Sequence, residues 1–209
     1  MVFLVTYIST EDIHLLKEVT QNDLIVGVDQ GANILLENNI IPDYIIGDFD
    51  SFLLDDSLIP ETVKIIELDK EKDYSDLEYA VLYFLNKTDL IFILNNMQGR
   101  TDHILLSLFL LEKANHITKI IIRNNKEEIR ILENEENFIM SEKTLVSLIP
   151  LTESVTNIIT YGLLYKLENE TLYRHSTRGL SNVVSDSKVK ISYSTGKLLL
   201  VSQYYQENL

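Results

Sequence analysis

With 209 residues, 45% of them apolar and 24% charged, the chain has the composition of a folded protein, either one large domain or two small ones. A formal charge of −14 argues against a nucleic-acid binder, which would carry a basic face, and no apolar run is long enough to cross a bilayer. The absence of cysteine excludes disulfides and thiolate metal sites and is compatible with a reducing cytoplasm, the compartment we expect.

Met1-Val2-Phe3-Leu4-Val5-Thr6 has no basic stretch ahead of its apolar one, so residues 3–8 read as a first strand and not a signal peptide. Thr10-Glu11-Asp12 opens a helix with Ile13, Leu16 and Val19 on one face. Residues 24–28 form a second strand ending at Asp29-Gln30-Gly31-Ala32, and a short helix with Ile34, Leu35 and Leu36 stops before Pro42. Residues 44–47 form a third strand that delivers Asp48 and Asp50 in Gly47-Asp48-Phe49-Asp50-Ser51. Such a turn of Asp and Ser is ordinary loop chemistry when it stands alone. Paired carboxylates at a strand end also suit Mg²⁺, a hard cation that takes one or two carboxylates plus substrate phosphates.

Residues 63–68 read as a strand leading into Asp69-Lys70-Glu71-Lys72-Asp73-Tyr74-Ser75-Asp76. Leu77, Ala80, Val81, Phe84 and Leu85 then recur at helical spacing, with Asp73 and Asp76 at the N-cap and N3 positions. Residues 90–94 form another strand, and residues 95–101 a polar turn with Gly99-Arg100. Asp102 begins a helix whose apolar side is Leu105, Leu106, Phe109 and Leu110, and residues 119–122 close this half as a strand.

Strands alternating with helices predict a parallel sheet covered on both faces, a Rossmann-like domain over residues 1–125. Asp29, Asp48, Asp50, Asp73, Asp76, Arg100 and Asp102 all follow a strand or start the next helix, so they share the carboxyl edge where such sheets bind ligands. Lys70, Lys72 and Arg100, beside this acidic group and a helix N-terminus, suit phosphate contact. No glycine loop ending in Gly-Lys-Ser/Thr is present, so a nucleotide would bind without a P-loop.

After about residue 125 the pattern becomes short strands and polar turns, which predicts a small β-sandwich or roll over residues 126–209. Strands are read at 129–132, 138–140 and 145–149. One hairpin is expected around Glu168-Asn169-Glu170 and a second around Ser194-Thr195-Gly196, with a polar loop at residues 176–182.

Taken together, these segments resemble thiamine pyrophosphokinases of the bacterial type. The likeness rests on Asp29-Gln30-Gly31-Ala32-Asn33, Gly47-Asp48-Phe49-Asp50-Ser51, Lys72-Asp73-Tyr74-Ser75-Asp76, Gln98-Gly99-Arg100-Thr101-Asp102-His103 and Gly179-Leu180-Ser181-Asn182, in that order along nearly the whole chain. The resemblance implies transfer of the pyrophosphoryl group of ATP to the thiamine hydroxyl, giving thiamine diphosphate and AMP. It implies Mg²⁺ held by Asp48, Asp50, Asp73 and Asp76, and ATP contacts from Lys72, Asp73, Ser75, Arg100 and Asp102. Asp50, Asp76, Arg100 and Asp102 would be catalytic, with Asp76 or Asp102 taking the hydroxyl proton. Thiamine would meet Asp29, Ser181 and Asn182, in a homodimer with shared sites. Ser75 stands where Thr is usual, Gln98 where Gly is common and Val183 where Glu is common. Two other readings stay open on the sequence: a pyrophosphokinase for another hydroxymethyl heterocycle such as a pterin, and a non-catalytic nucleotide- or thiamine-binding protein.

Overall fold

A computed structural model describes residues 1–48 and 59–204. The chain divides into two compact units, Met1–Asn125 and Lys126–Leu209. Among the described residues of the first unit, six strands form a parallel sheet: β1 (Val2–Val5), β2 (Leu24–Val28), β3 (Tyr44–Gly47), β4 (Lys64–Glu67), β5 (Leu90–Leu94) and β6 (Lys119–Arg123). They lie side by side in the order β6-β5-β1-β2-β3-β4. The central strands are nearly continuous Val, Ile, Leu and Phe because both of their faces are buried, whereas β4 carries Lys64 and Glu67 at the edge.

Among the described residues, three α-helices connect these strands: α1 (Gln30–Glu37), α2 (Asp76–Phe84) and α3 (Thr101–Leu110). Strand alternation sends Tyr44 and Ile45 to opposite faces of β3. Ile45 packs with Ala32 of α1, and the Tyr44 ring meets Phe84 of α2 edge-on at 5.4 Å, so the two helices cover opposite faces as expected. Residues Asp12–Glu18 form a 3₁₀ helix, tighter than the α-helix predicted there, though Ile13, Leu16 and Val19 do face one core cluster. In α3 the predicted apolar side is corrected. Ser107 and Leu110 are its buried residues, and Leu105, Leu106 and Phe109 are exposed in the chain.

Close backbone approach sets the position of α1. A Cβ on Gly31 would lie 1.9 Å from the Val5 carbonyl oxygen, and one on Gly27 would lie 2.6 Å from Ala32 Cα. Only glycine lets the helix start this near to β1 and β2.

In the second unit the described strands are β7 (Glu127–Ile131), β8 (Glu135–Ile139), β9 (Leu145–Pro150), β10 (Ser154–Tyr161), β11 (Glu168–Tyr173), β12 (Asn182–Val183), β13 (Lys188–Ser192) and β14 (Leu198–Gln203). One antiparallel set runs β12-β9-β14-β7 and the other β11-β10-β13-β8. Val146, Leu148, Leu198 and Leu200 from the first pack against Val155, Ile158, Leu172, Val189 and Ile191 from the second, a sandwich core.

Both predicted hairpin turns are corrected. Glu168-Asn169-Glu170 lies within β11, with Asn169 at φ +62°, and the turn sits at residues 162–167. Ser194-Thr195-Gly196 joins β13 to β14, which lie in different sheets, so it crosses the sandwich instead of reversing within one sheet. The eight-residue β10 was not read from the sequence. Asn157 at φ +56° and a register shift between Val155 and Ile158 break the alternation that would have marked it. Among the described residues, no helix is long and apolar enough to cross a membrane.

Candidate active site

Because the six strands run the same way, the residues that follow them share one edge of the first unit. Strand order reverses between β1 and β5, the switch point at which open α/β sheets form a ligand crevice. Asn95, unremarked in the sequence, braces this point. Its Nδ2 donates to Thr6 Oγ1 at 3.0 Å, while its Oδ1 accepts from Met97 N at 2.8 Å. Asn96 N donates to the Tyr7 carbonyl at 2.9 Å.

Asp29, between β2 and α1, has an unusual backbone, φ +49° and ψ −125°, and its N–H donates to the Ile46 carbonyl at 2.9 Å. Such a conformation in a non-glycine residue is strained, and strain of this kind collects at ligand sites.

The connection after β4 brings together two of the predicted acids. Leu68 N donates to the Gly47 carbonyl at 2.8 Å and carries residue 68 alongside the end of β3. An Asx turn, with Glu71 N on Asp69 Oδ1 at 3.0 Å, then folds the chain back. The Lys72 ammonium donates to the Asp69 carbonyl at 3.1 Å and lies 2.9 Å from Asp76 Oδ1 and 3.8 Å from Asp48 Oδ2. The contact to Asp76 is an ion pair out of hydrogen-bond alignment, so Oδ1 is buried with no hydrogen bond. Ser75, not Asp73, caps α2: its Oγ accepts from Glu78 N at 3.1 Å. Asp76 is therefore the first residue of the helix and Asp73 is exposed ahead of it. No three Asp, Glu, His or Cys side chains converge as a metal cage among the described residues, so Asp48, Asp73 and Asp76 are not gathered as one group. Asp50 lies outside the described residues.

After β5, Met97 at φ +54° and Gly99 at φ +98° turn the chain into α3. Arg100 donates through Nε to Asp102 Oδ1 at 3.2 Å and through Nη2 to Oδ2 at 2.6 Å. This fork, helped by the His103 N–H on Asp102 Oδ1, holds the Asp102 carboxyl below its ordinary range, and the carboxylate raises the guanidinium in turn.

In the second unit Ser181 is exposed at φ +55°, its N–H on Ser147 Oγ at 3.1 Å. Asn182 is 7% exposed and its amide is engaged within the unit. Oδ1 accepts from Tyr165 N and Val183 N, each at 2.9 Å, and Nδ2 donates to the Tyr165 carbonyl at 2.6 Å. Sequence spacing carries no sign of this clamp, because its partner is seventeen residues away.

Two family models match the chain: "Thiamin pyrophosphokinase, catalytic domain" over residues 15–122 and "Thiamin pyrophosphokinase, vitamin B1 binding domain" over residues 126–198. The chain belongs to the thiamine pyrophosphokinase family. It is 30% identical to thiamine pyrophosphokinase of Bacillus subtilis over 192 residues, 87% of each protein. The crystal structure of the Bacillus subtilis thiamine pyrophosphokinase is similar at a TM-score of 0.86 with 26% identity, over 98% of this chain and 99% of that one. That of Geobacillus thermodenitrificans thiamin pyrophosphokinase gives 0.83 and 26%, over 100% of this chain and 99% of the other. A thiamine pyrophosphokinase is an enzyme that forms thiamine diphosphate, with ATP supplying the pyrophosphoryl group.

Proposed function

We propose that this chain transfers the β,γ-pyrophosphoryl group of ATP to the hydroxyl of thiamine at the carboxyl edge of the parallel sheet, releasing AMP. The observation that carries the site assignment is the convergence of Asp48 and Asp76 on one cationic centre, the Lys72 ammonium. Hard oxygen donors around a point already occupied by positive charge fit Mg²⁺, with the missing ligands coming from ATP phosphates. Asp48 and Asp76, with Asp50 and Asp73, are our candidates to hold it; when bound, it neutralises phosphate charge and polarises the reacting phosphorus.

Lys72, Ser75 and Arg100 are assigned to the phosphates, with Asp73 and Asp102 beside them. In phosphoryl transfer, positioning and charge neutralisation supply most of the rate. The thiamine oxygen forms the new bond to the β-phosphorus as the bond to the α-phosphate oxygen breaks, and the hydroxyl proton passes to a carboxylate. Asp76 and Asp102 are the two carboxylates assigned to that proton. Asp29, Ser181 and Asn182 are assigned to the acceptor, Asn182 by shaping its loop. We read residues 1–125 as a Rossmann-like catalytic domain that binds nucleotide and Mg²⁺. Residues 126–209 are read as the thiamine-binding and dimerising domain of a cytoplasmic homodimer.

The test is AMP release from Mg-ATP with thiamine, and with a hydroxymethyl pterin as the competing acceptor. Thiamine alone should support it, and Asp50→Asn should lower turnover about a hundredfold or more at unchanged melting temperature. Release with the pterin only, or near-normal turnover in Asp50→Asn at saturating Mg²⁺, would refute the assignment.

A further inference from the structure

We infer that Lys72 is an internal stand-in for the divalent cation, so that metal and nucleotide must enter the site together. The inference rests on the proposed metal site and adds a competitor to it. Three side chains meet there, each largely withdrawn from solvent: Lys72 at 17%, Asp76 at 16% and Asp48 at 24% exposure. Two carboxylates brought together at partial burial repel one another, and the ammonium between them removes that repulsion. Its hold is electrostatic. Among the described residues, Asp76 Oδ1 takes no hydrogen bond, and the directed bond from the ammonium goes to a neutral carbonyl, that of Asp69.

A divalent cation bound by the same carboxylates would sit against the ammonium, and like charges so close cannot both stay. Lysine has the flexible stem needed to leave, and the ligand that suits it next is a phosphate. Metal without nucleotide therefore has to displace Lys72 into solvent. Metal arriving with ATP gives Lys72 a new anionic partner as it takes the old ones. That difference is a coupling free energy between metal and nucleotide, and it strengthens the binding of each by the other. It also prevents free cation from holding the empty site.

The experiment titrates Mn²⁺ alone into the nucleotide-free enzyme, read by electron paramagnetic resonance and by the rise in melting temperature. Lys72→Met keeps the stem and loses the charge; Lys72→Gln is the second variant should the first fold poorly. Both should bind Mn²⁺ about tenfold more tightly than the wild type, the direction given by removing a positive charge beside two carboxylates. They should also gain more thermal stability from it. Adding Asp76→Asn to Lys72→Met should abolish the gain. Equal or weaker Mn²⁺ binding in folded Lys72 variants overturns the inference, while an Asp76-dependent metal requirement for AMP release would leave the metal assignment standing. A metal requirement indifferent to Asp76→Asn would overturn both.

Discussion

Arg100 and Asp102 share two hydrogen bonds at side-chain exposures of 72% and 64%, and ion pairs so exposed contribute little to stability. Their value lies in presenting a preformed guanidinium fork at the start of α3. Lysine keeps the charge but cannot make the planar bidentate contact. Arg100→Lys is therefore expected to lower kcat/KM for Mg-ATP about tenfold or more while the melting temperature stays put. A parallel loss of melting temperature would indicate a structural role instead. Asp23 is the opposite case. Its side chain is 4% exposed and its carboxyl is lowered from 3.8 to about 2, first by the hydrogen bond from the Met1 ammonium and then by those from Thr20. The folded value lies below the unfolded one, so the carboxylate stabilises the fold above pH 3.8, and that contribution fades as pH falls toward 2. Asp23→Asn should be less stable at neutral pH, and denaturant titrations should show its deficit shrinking between pH 3.8 and 2. A deficit constant across that window would disprove the linkage.

At the scale of elements, Asn182 ties β12 to the 162–167 connection between β10 and β11 through both polar groups of the Tyr165 backbone. Asn182→Ala removes the part-buried hydrogen bonds to the Tyr165 N–H and carbonyl, a loss of about 0.5–1.5 kcal/mol for each. The variant should unfold at lower urea and raise the KM for thiamine, with that for Mg-ATP scarcely changed. Raising the Mg-ATP constant alone would mean that the acceptor and nucleotide halves of the site are reversed. Elements were legible where periodicity was clean. The apolar runs of β1, β2, β3 and β5 announce buried parallel strands, and the order of acids after them announces a shared edge. Legibility failed where tertiary contacts decide. Ser75 takes the cap of α2 by a hydrogen bond that Asp73 could equally have offered. The helical spacing of Leu105, Leu106 and Phe109 carried no information about which face of α3 the chain buries. In the second unit, left-handed residues such as Asn157 and Asn169 interrupt strands without ending them. The bonds of Asn182 to residue 165 are likewise invisible to local pattern.

At the scale of the whole molecule, the proposed assignments fall in both units: phosphate and metal groups between residues 48 and 102 in the first, and acceptor groups at 181 and 182 in the second. The formal charge of −14 makes local organisation decisive. Free ATP is repelled at long range, so Lys72, Arg100 and the cation must act together at close quarters. In a homodimer with shared sites, each active site would take its acidic cluster from one protomer and its acceptor loop from the partner. A chain with Asp76→Asn and a chain with Asn182→Ala then damage different halves of the same machine. After random exchange about half the dimers are mixed, and each mixed dimer has one site with both halves intact, so recovery should approach about a quarter of wild-type activity. Sites built within one chain predict no recovery, because every site keeps the lesion of its own protomer. Measuring AMP release after subunit exchange, at thiamine far below the raised KM of the Asn182→Ala homodimer and with each homodimer treated alone as reference, distinguishes the two arrangements. Recovery that grows with exchange time, and that vanishes when both substitutions are placed on the same chain and mixed with either single variant's protein, would establish that the two halves come from different protomers.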